Sequence, residues 1–414
     1  MSRNHYYSRH LTPRLRSALR DTPAVLIHGP RQCGKTTLAK TVGEKLGYSY
    51  ITFDDDATRM AAKADPVGFV ARLPTRTILD EVQRAPEIFT SIKASIDSRR
   101  SAGRFILTGS ANVLLIPDLA DSLAGRMGIL RLHPLSQSEL EGHRPRFIQA
   151  LLRGSISTEL CEPLGRNLAL RIARGGFPAA LVRKDESRQR AWYRDYVETH
   201  IQRDVRDLSR IRSLDTLPKL LRMAASHTSR LVNVADLAAP FELTRQSIHE
   251  HVTLLERVFL VERLPSWHTN QLSRLVKRAK LHLCDTGMAC AILGVDARQL
   301  EADRTLLGAM LETFILQELR RQSTADPDPV EFYHFRDRDD YEVDIVIEGG
   351  GLVAGVEVKA ASTVNESDLR GLRKLQSMAG KRFSSGVVLY DGSATIRFGN
   401  GLFAVPIRKI WETI

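Results

Sequence analysis

The sequence predicts an α/β protein with a mainly parallel N-terminal sheet, a helical middle that ends in a two-helix and two-strand pattern, and a second α/β unit at the C-terminal end. Three observations predict it. An apolar strand, Ala24-Val25-Leu26-Ile27, runs directly into a glycine-rich loop and then a helical pattern. Short apolar runs then alternate with helix-length segments as far as Leu132. Beyond residue 300, a long helical pattern is followed by three strand-length runs, a helix and two further strands.

Size and composition set the bounds. The 414 residues are too many for one ordinary core and suggest two or three domains. With 43% hydrophobic and 26% charged residues, the chain reads as an ordinary soluble globular protein. No apolar run reaches the roughly 18 residues of a membrane helix, and Met1 to Arg20 is polar and basic, so neither a span nor secretion is expected. Cys33, Cys161, Cys284 and Cys290 are too scattered for a disulfide framework or a four-ligand zinc site, which fits a reducing cytoplasm. The 60 Lys plus Arg against 48 Asp plus Glu leave a net +12 and point to an anionic partner such as nucleic acid.

In the first unit, residues 1–140, strands are expected at Tyr50 to Phe53, Thr77 to Leu79, Phe105 to Leu107 and Ile129 to Leu132, with a helix over Ala85 to Arg99. Such alternation implies a sheet covered on both faces. Residues 141–230 read as a helical, arginine-rich lid or linker, broken at Arg174-Gly175-Gly176-Phe177-Pro178. Residues 231–300 give a winged helix-turn-helix outline: a helix at Val234 to Ala239, a break at Pro240 and a second helix from Thr244 to about Phe259. Strands at Leu260 to Leu264 and Leu281 to Leu283 then bracket Ser266 to Lys280, which holds Arg274, Lys277, Arg278 and Lys280 and no acid.

The last unit, residues 301–414, begins with a helix over Leu306 to Arg321 and a Pro/Asp-rich loop, Ala325 to Pro329. Strands follow at Glu331 to Phe335, Glu342 to Glu348 and Leu352 to Lys359, the last two joined at Gly349-Gly350-Gly351. A helix over Glu366 to Met378 and strands at Ser385 to Tyr390 and Leu402 to Pro406 complete it.

Gly29, four residues, Gly34, Lys35 and Thr36 match the spacing of a P-loop, and the strand before and helix after are its confirming context. Glycines let backbone N–H groups and the helix N-terminus face phosphates. The loop from Gly29 through Pro30, Arg31, Gln32 and Cys33 to Gly34, with Lys35, Thr36 and Thr37, is therefore the expected ATP cradle. Lys35 would pair with the β and γ phosphates, and Thr36 would hold Mg²⁺. The strand Thr77-Ile78-Leu79 would deliver Asp80 to the metal and Glu81 to the attacking water. Thr108 and Ser110 end a buried strand where a γ-phosphate sensor sits in AAA-type ATPases. Arg126, in Ser122-Leu123-Ala124-Gly125-Arg126, would neutralise transition-state charge in its own subunit or a neighbour, which also raises the prospect of a homo-oligomer.

A second constellation lies near the C-terminus. Period two puts Val343, Ile345 and Ile347 on one face and Glu342 and Asp344 on the other, while Glu357 and Lys359 share the face opposite Val356 and Val358. Adjacent strands would bring Asp344, Glu357 and Lys359 together, as metal-assisted phosphodiester cleavage requires. This pattern resembles the PD-(D/E)xK nuclease superfamily, although Val343 stands where that family's first motif has proline. The resemblance implies a restriction-endonuclease-like fold, Mg²⁺ held by Asp344 and Glu357, and a further acidic ligand at Glu312 on the preceding helix.

If Thr244 caps its helix, Arg245, Gln246, Ser247 and His249 lie near the solvent-facing N-terminal end, where recognition helices meet the major groove. Arg274, Lys277, Arg278 and Lys280 would then meet DNA phosphates as a basic wing.

The loop Gly29 to Thr36, with Leu79-Asp80-Glu81-Val82-Gln83, Leu107-Thr108-Gly109-Ser110, Ser122 to Arg126, Gly175-Gly176-Phe177-Pro178 and Asp285-Thr286-Gly287, resembles the prokaryotic AAA-type ATPases with a C-terminal domain of unknown function 4143. These are similar to the archaeal and STAND-like branch of P-loop ATPases. The resemblance implies a P-loop NTPase domain, ATP binding, a winged helix and a nuclease-like end.

Three functional expectations follow. One is an ATPase that acts on DNA through the winged helix and the nuclease-like domain. Another is a STAND-type signalling or scaffold ATPase with a catalytically silent C-terminal binding module. A plain transcriptional regulator ranks last, because it leaves Asp344, Glu357 and Lys359 without a purpose.

Overall fold

The computed structural model describes residues 6–110, 125–201, 216–231, 241, 244–270, 272, 274, 277–326 and 328–412. They fall into two compact units, one within Met1–Leu135 together with Arg257–Phe259, the other within Ser136–Glu256 and Leu260–Ile414.

The first unit is built on a five-stranded sheet of order β2-β3-β4-β1-β5. Its strands are β1 (Ala24–His28), β2 (Ser49–Thr52), β3 (Thr77–Asp80), β4 (Phe105–Gly109) and β5 (Met127–Arg131), all parallel. Alternation along β1 shows why its residues are apolar without a break. Ala24 and Leu26 pack with Leu79, Phe105 and the helix α3 (Ile88–Ser98), while Val25 and Ile27 pack with Ile78, Ile106 and the helices α1 (Thr12–Asp21) and α2 (Lys35–Glu44). Both faces are covered, as parallel sheets require. Register puts Leu26 and Leu79 at the level of Leu107, so the residues following β1, β3 and β4 emerge at one edge.

The second unit holds two sheets. The small one, β6 (Arg230–Leu231), β7 (Val261–Leu264) and β8 (Lys280–Leu283), has the order β6-β8-β7 and is antiparallel. The helices α4 (Arg166–Arg174), α5 (Glu186–His200), α6 (Arg245–Arg257), α7 (Thr286–Leu293) and α8 (Arg304–Ser323) belong to the same stretch of chain. The expected first helix of the winged-helix outline, Val234 to Ala239, lies outside the described residues, as do Ser122, Leu123 and Ala124.

The larger sheet is mixed, of order β13-β14-β12-β11-β10-β9. Its strands are β9 (Glu331–Arg336), β10 (Glu342–Gly349), β11 (Leu352–Val358), β12 (Phe383–Tyr390), β13 (Ile396–Arg397) and β14 (Leu402–Pro406). The helix α9 (Arg370–Ala379) supplies Leu372 and Leu375 to a core with Phe335, Val353, Val388 and Leu402. One face assignment changes here. A register shift between Val343 and Val346 breaks the two-residue period, and both of these valines join that core. Such an irregularity re-aims the side chains beside it, here Asp344.

Candidate functional site

At the edge where β1 ends, the loop bends so tightly that only glycine fits at position 29. Its φ is +151°, and a Cβ there would stand 2.0 Å from the Leu132 carbonyl oxygen. Gly34 begins α2 at φ +102° with no side-chain cap, so the first N–H groups of that helix are not taken by a capping side chain. Arg9 braces the loop from behind, donating from Nη1 to the Cys33 carbonyl at 2.7 Å and from Nη2 to the His133 carbonyl at 2.5 Å. Cys33 is buried, and its Sγ lies 3.5 Å from the Leu132 carbonyl oxygen.

Lys35 is 4% exposed and curls back over the loop, donating from Nζ to the carbonyls of Gly29 at 3.0 Å and Pro30 at 2.7 Å. Thr36 donates to Asp80 Oδ1 at 2.9 Å. Thr108 donates to the same oxygen, and the Tyr50 hydroxyl donates to Oδ2 at 2.8 Å. Burial and the Asp80 carboxylate together push the Tyr50 hydroxyl up to about 12, so it stays a donor.

Glu81 follows β3 in the left-handed region, φ 57° and ψ 45°, a conformation uncommon for a residue with a side chain. The Thr108 hydroxyl accepts its N–H at 3.2 Å. Its Oε2 accepts from Ser110 at 3.0 Å and from the Gln83 amide, which also donates to Ser110 at 3.0 Å. Beneath the loop, burial lowers His28 to about 4, with Arg131 and Lys35 acting in the same direction, so the imidazole is neutral.

The structure therefore brings Gly29, Lys35, Thr36, Asp80, Glu81, Thr108 and Ser110 to one place. Arg31 and Gln32 lie on the loop, Gln32 exposed, and Thr37 faces solvent on α2. Arg126 is elsewhere. It precedes β5, whose first residue pairs with Ala24 at the opposite end of β1, and it binds Asp97 from Nε at 2.6 Å. A role for Arg126 at the phosphates of its own subunit is thus corrected, because the five-residue length of the parallel strands lies between them. Arg9 and Tyr50 were not among the expected site residues, and Gln83 entered only as part of the Leu79-Asp80-Glu81-Val82-Gln83 motif, without a role. Only Gln83, two residues beyond Glu81, carried a local signal.

The carboxylate cluster departs further from expectation. Lys280, assigned above to a DNA-facing wing, is 2% exposed. Its Nζ lies 2.8 Å from Glu312 Oε1, 2.7 Å from Glu342 Oε1 and 3.3 Å from Asp344 Oδ1. Burial alone would lower this ammonium, but the attraction of Glu312, Asp344 and Glu342 holds it above the ordinary lysine range. Asp344 Oδ2 accepts the Val358 N–H at 2.9 Å, and Lys359 Nζ pairs with Glu357 Oε1 at 2.9 Å. Desolvation, with the neighbouring Asp344 charge, pushes Glu357 up to about 8. Burial likewise raises Glu312 well above the usual carboxylate range. Among the described residues, no three His, Cys, Asp or Glu side chains are arranged to hold a metal ion. The expected metal set of Glu312, Asp344 and Glu357 does not fit, because an ammonium already stands between Glu312 and Asp344.

Arg274 is also corrected. It bonds Glu348 Oε2 at 2.8 Å and lies over the rings of Tyr333 and Trp267, at 4.7 and 5.7 Å, so it packs on the large sheet. Lys277 and Arg278 are exposed. At the start of α6, Thr244 Oγ1 accepts the Ser247 N–H at 3.1 Å; Arg245, Gln246 and His249 are exposed, and Ser247 is half-buried.

Three family models match parts of the chain. Residues 21–141 match the family described as AAA domain, 165–299 match a domain of unknown function (DUF8612) and 307–410 match a domain of unknown function (DUF4143). The first of these carries a P-loop ATPase-like domain. Uncharacterized proteins of Mycobacterium bovis and Mycobacterium tuberculosis are each 28% identical over 405 residues, spanning 97% of this chain and 83% of theirs. An uncharacterized protein of Methanocaldococcus jannaschii is 23% identical over 343 residues, spanning 78% of this chain and 72% of its own. Among solved structures, a Walker-type ATPase of Pyrococcus abyssi is 14% identical with a TM-score of 0.43, over 70% of this chain and 97% of that one. No helix among the described residues is long and apolar enough to cross a membrane.

Proposed function

We propose that the chain binds ATP at the loop Gly29–Thr36 and hydrolyses it. The observation that carries this reading is the convergence of Lys35, Thr36, Asp80 and Glu81 at one edge of the parallel sheet, the last three already linked by hydrogen bonds through Thr108 and Asp80. Backbone N–H groups at the start of α2 receive phosphate oxygens, and the Lys35 ammonium exchanges its two carbonyl partners for the β and γ phosphates. Thr36 and Asp80 would hold Mg²⁺, which supplies neutralisation of phosphate charge. Glu81, fixed by Ser110 and Gln83, orients the attacking water and takes its proton. Thr108 holds Asp80 and the Glu81 backbone together. Lys35→Ala is expected to abolish binding of a fluorescent ATP analogue by the full chain; unchanged affinity would overturn the reading.

We further propose that nucleotide state governs contact with DNA. The exposed N-terminal end of α6, with Arg245, Gln246 and His249, supports the DNA contact in this reading, as do exposed Lys277 and Arg278. Charge reversal at Arg245, Lys277 and Arg278 should weaken duplex binding and flatten its salt dependence. If both stay unaltered, a signalling or scaffold ATPase with a protein partner becomes the better reading.

A further inference from the structure

Four carboxylates, Glu312, Glu342, Asp344 and Glu357, gather where α8, β10 and β11 meet β8. Burying such a group of like charges is costly unless a cation sits among them. A phosphodiester-cleaving site solves this with a divalent ion coordinated at roughly 2.0 to 2.6 Å.

Here the cation is covalently part of the chain. An ammonium has three N–H donors and no acceptor, and Lys280 meets three carboxylates, Glu342 at 2.7 Å, Glu312 at 2.8 Å and Asp344 at 3.3 Å. Its backbone cannot drift, because β8 is the central strand of its sheet and Lys280 pairs with Leu231 on one side and Leu264 on the other. Three of the five remaining oxygens have partners too. Asp344 Oδ2 takes the Val358 N–H, Glu342 Oε2 faces Arg336 Nη1 at 3.5 Å, and Glu357 Oε1 takes Lys359. Only Glu357 Oε2 is buried without a hydrogen-bond partner.

We infer that Lys280 is the resident cation of this cluster: it fills the space among Glu312, Glu342 and Asp344 that an ion shared by Glu312 and Asp344 would need, so the C-terminal unit keeps its carboxylates as a closed, metal-free joint between β8, α8 and β10 and cuts no phosphodiester bond. The inference does not depend on the ATPase reading, since every group in it lies within the second unit.

Mn²⁺ binding to the full nucleotide-free chain, counted by electron paramagnetic resonance, tests it. Wild type and Asp344→Asn are expected to bind the same amount of Mn²⁺. Lys280→Ala is expected to gain one ion that adding Asp344→Asn removes. A wild-type Mn²⁺ site lost in Asp344→Asn would overturn the inference, as would Mn²⁺-dependent nicking of supercoiled DNA lost in the same variant. A folded Lys280→Ala chain without the extra ion would overturn it as well. Should Lys280→Ala fail to fold, the comparison of wild type with Asp344→Asn, repeated with Glu357→Gln, still decides.

Discussion

Thr36 donates its hydroxyl to Asp80 at 2.9 Å, joining two parts of the phosphate site that lie 44 residues apart in the chain. Asp80 is held on both oxygens, by Thr36 and Thr108 on one and by Tyr50 on the other. In the proposed hydrolysis the site is thus organised ahead of its substrate, and preorganisation of this kind lowers what must be rearranged in the transition state.

Tyr50→Phe keeps the ring and removes one donor to Asp80, a loss of about 1 kcal/mol for an ordinary hydrogen bond. ATP turnover should fall about fivefold, with more Mg²⁺ needed for half-maximal rate. A Mg²⁺ titration of the steady-state rate checks it; an unchanged curve would leave Asp80 fixed by its threonines alone.

In the proposed mechanism Gln83 and Ser110, which bond Glu81, position it for the water. Gln83→Ala should lower kcat roughly tenfold and leave the KM for ATP unchanged, because the lost contact matters to the water and not to the bound nucleotide. Parallel changes in KM would point to a structural role instead.

Gly287 and Asp285 form a joint within the second unit. A Cβ on Gly287 would stand 2.7 Å from the Gly175 nitrogen, and Asp285 accepts from the Gly176 N–H at 2.7 Å while pairing with Arg321 at 3.1 Å. Gly287→Ala should therefore destabilise this unit by about 3 kcal/mol. Denaturant unfolding followed by tryptophan fluorescence measures it, and a loss under about 0.5 kcal/mol would mean that the start of α7 and the Gly175 turn can separate freely.

His28 makes the first unit sensitive to acid. Its pKa is lowered from 6.5 to about 4 in the folded chain, so between these values the unfolded chain binds a proton that the folded one does not. Stability is then fully present above pH 6.5 and is lost as pH falls toward 4, by at most about 3 kcal/mol. Glu357, raised to about 8, acts in the opposite direction, its contribution falling as pH rises from 4.5 to 8. Comparing His28→Phe with wild type separates the two. The variant should lose less stability than wild type between pH 7 and pH 5, and identical losses would show that His28 does not titrate in this window.

Local patterns made the first unit legible. An unbroken apolar β1, the glycine spacing and an acidic pair after β3 each lie within a dozen residues, and the strands near 50, 77, 105 and 129 appear close to their expected places. Features set by distant partners were not legible. Lys280 sits in a stretch of sequence without acids, and its partners Glu312 and Asp344 lie 32 and 64 residues further on. Arg274 looked free for the same reason, with Glu348 supplied by another strand. The irregularity between Val343 and Val346 defeats a strict two-residue period, since pairing with β9 and not local composition sets it. Arg9 and Tyr50 bear no site motif, and Gln83 lies in one without an assigned role, so their parts became visible only through the atoms they hold.

The most direct test of the central claim is ATP turnover by the purified full chain, wild type beside Glu81→Gln, with nucleotide binding measured on the same samples. The account predicts Mg²⁺-dependent release of phosphate by wild type, and in Glu81→Gln undiminished ATP binding with hydrolysis reduced at least a hundredfold. Equal turnover in the two proteins would contradict it, because the residue held by Ser110 and Gln83 would then have no part in activating the water.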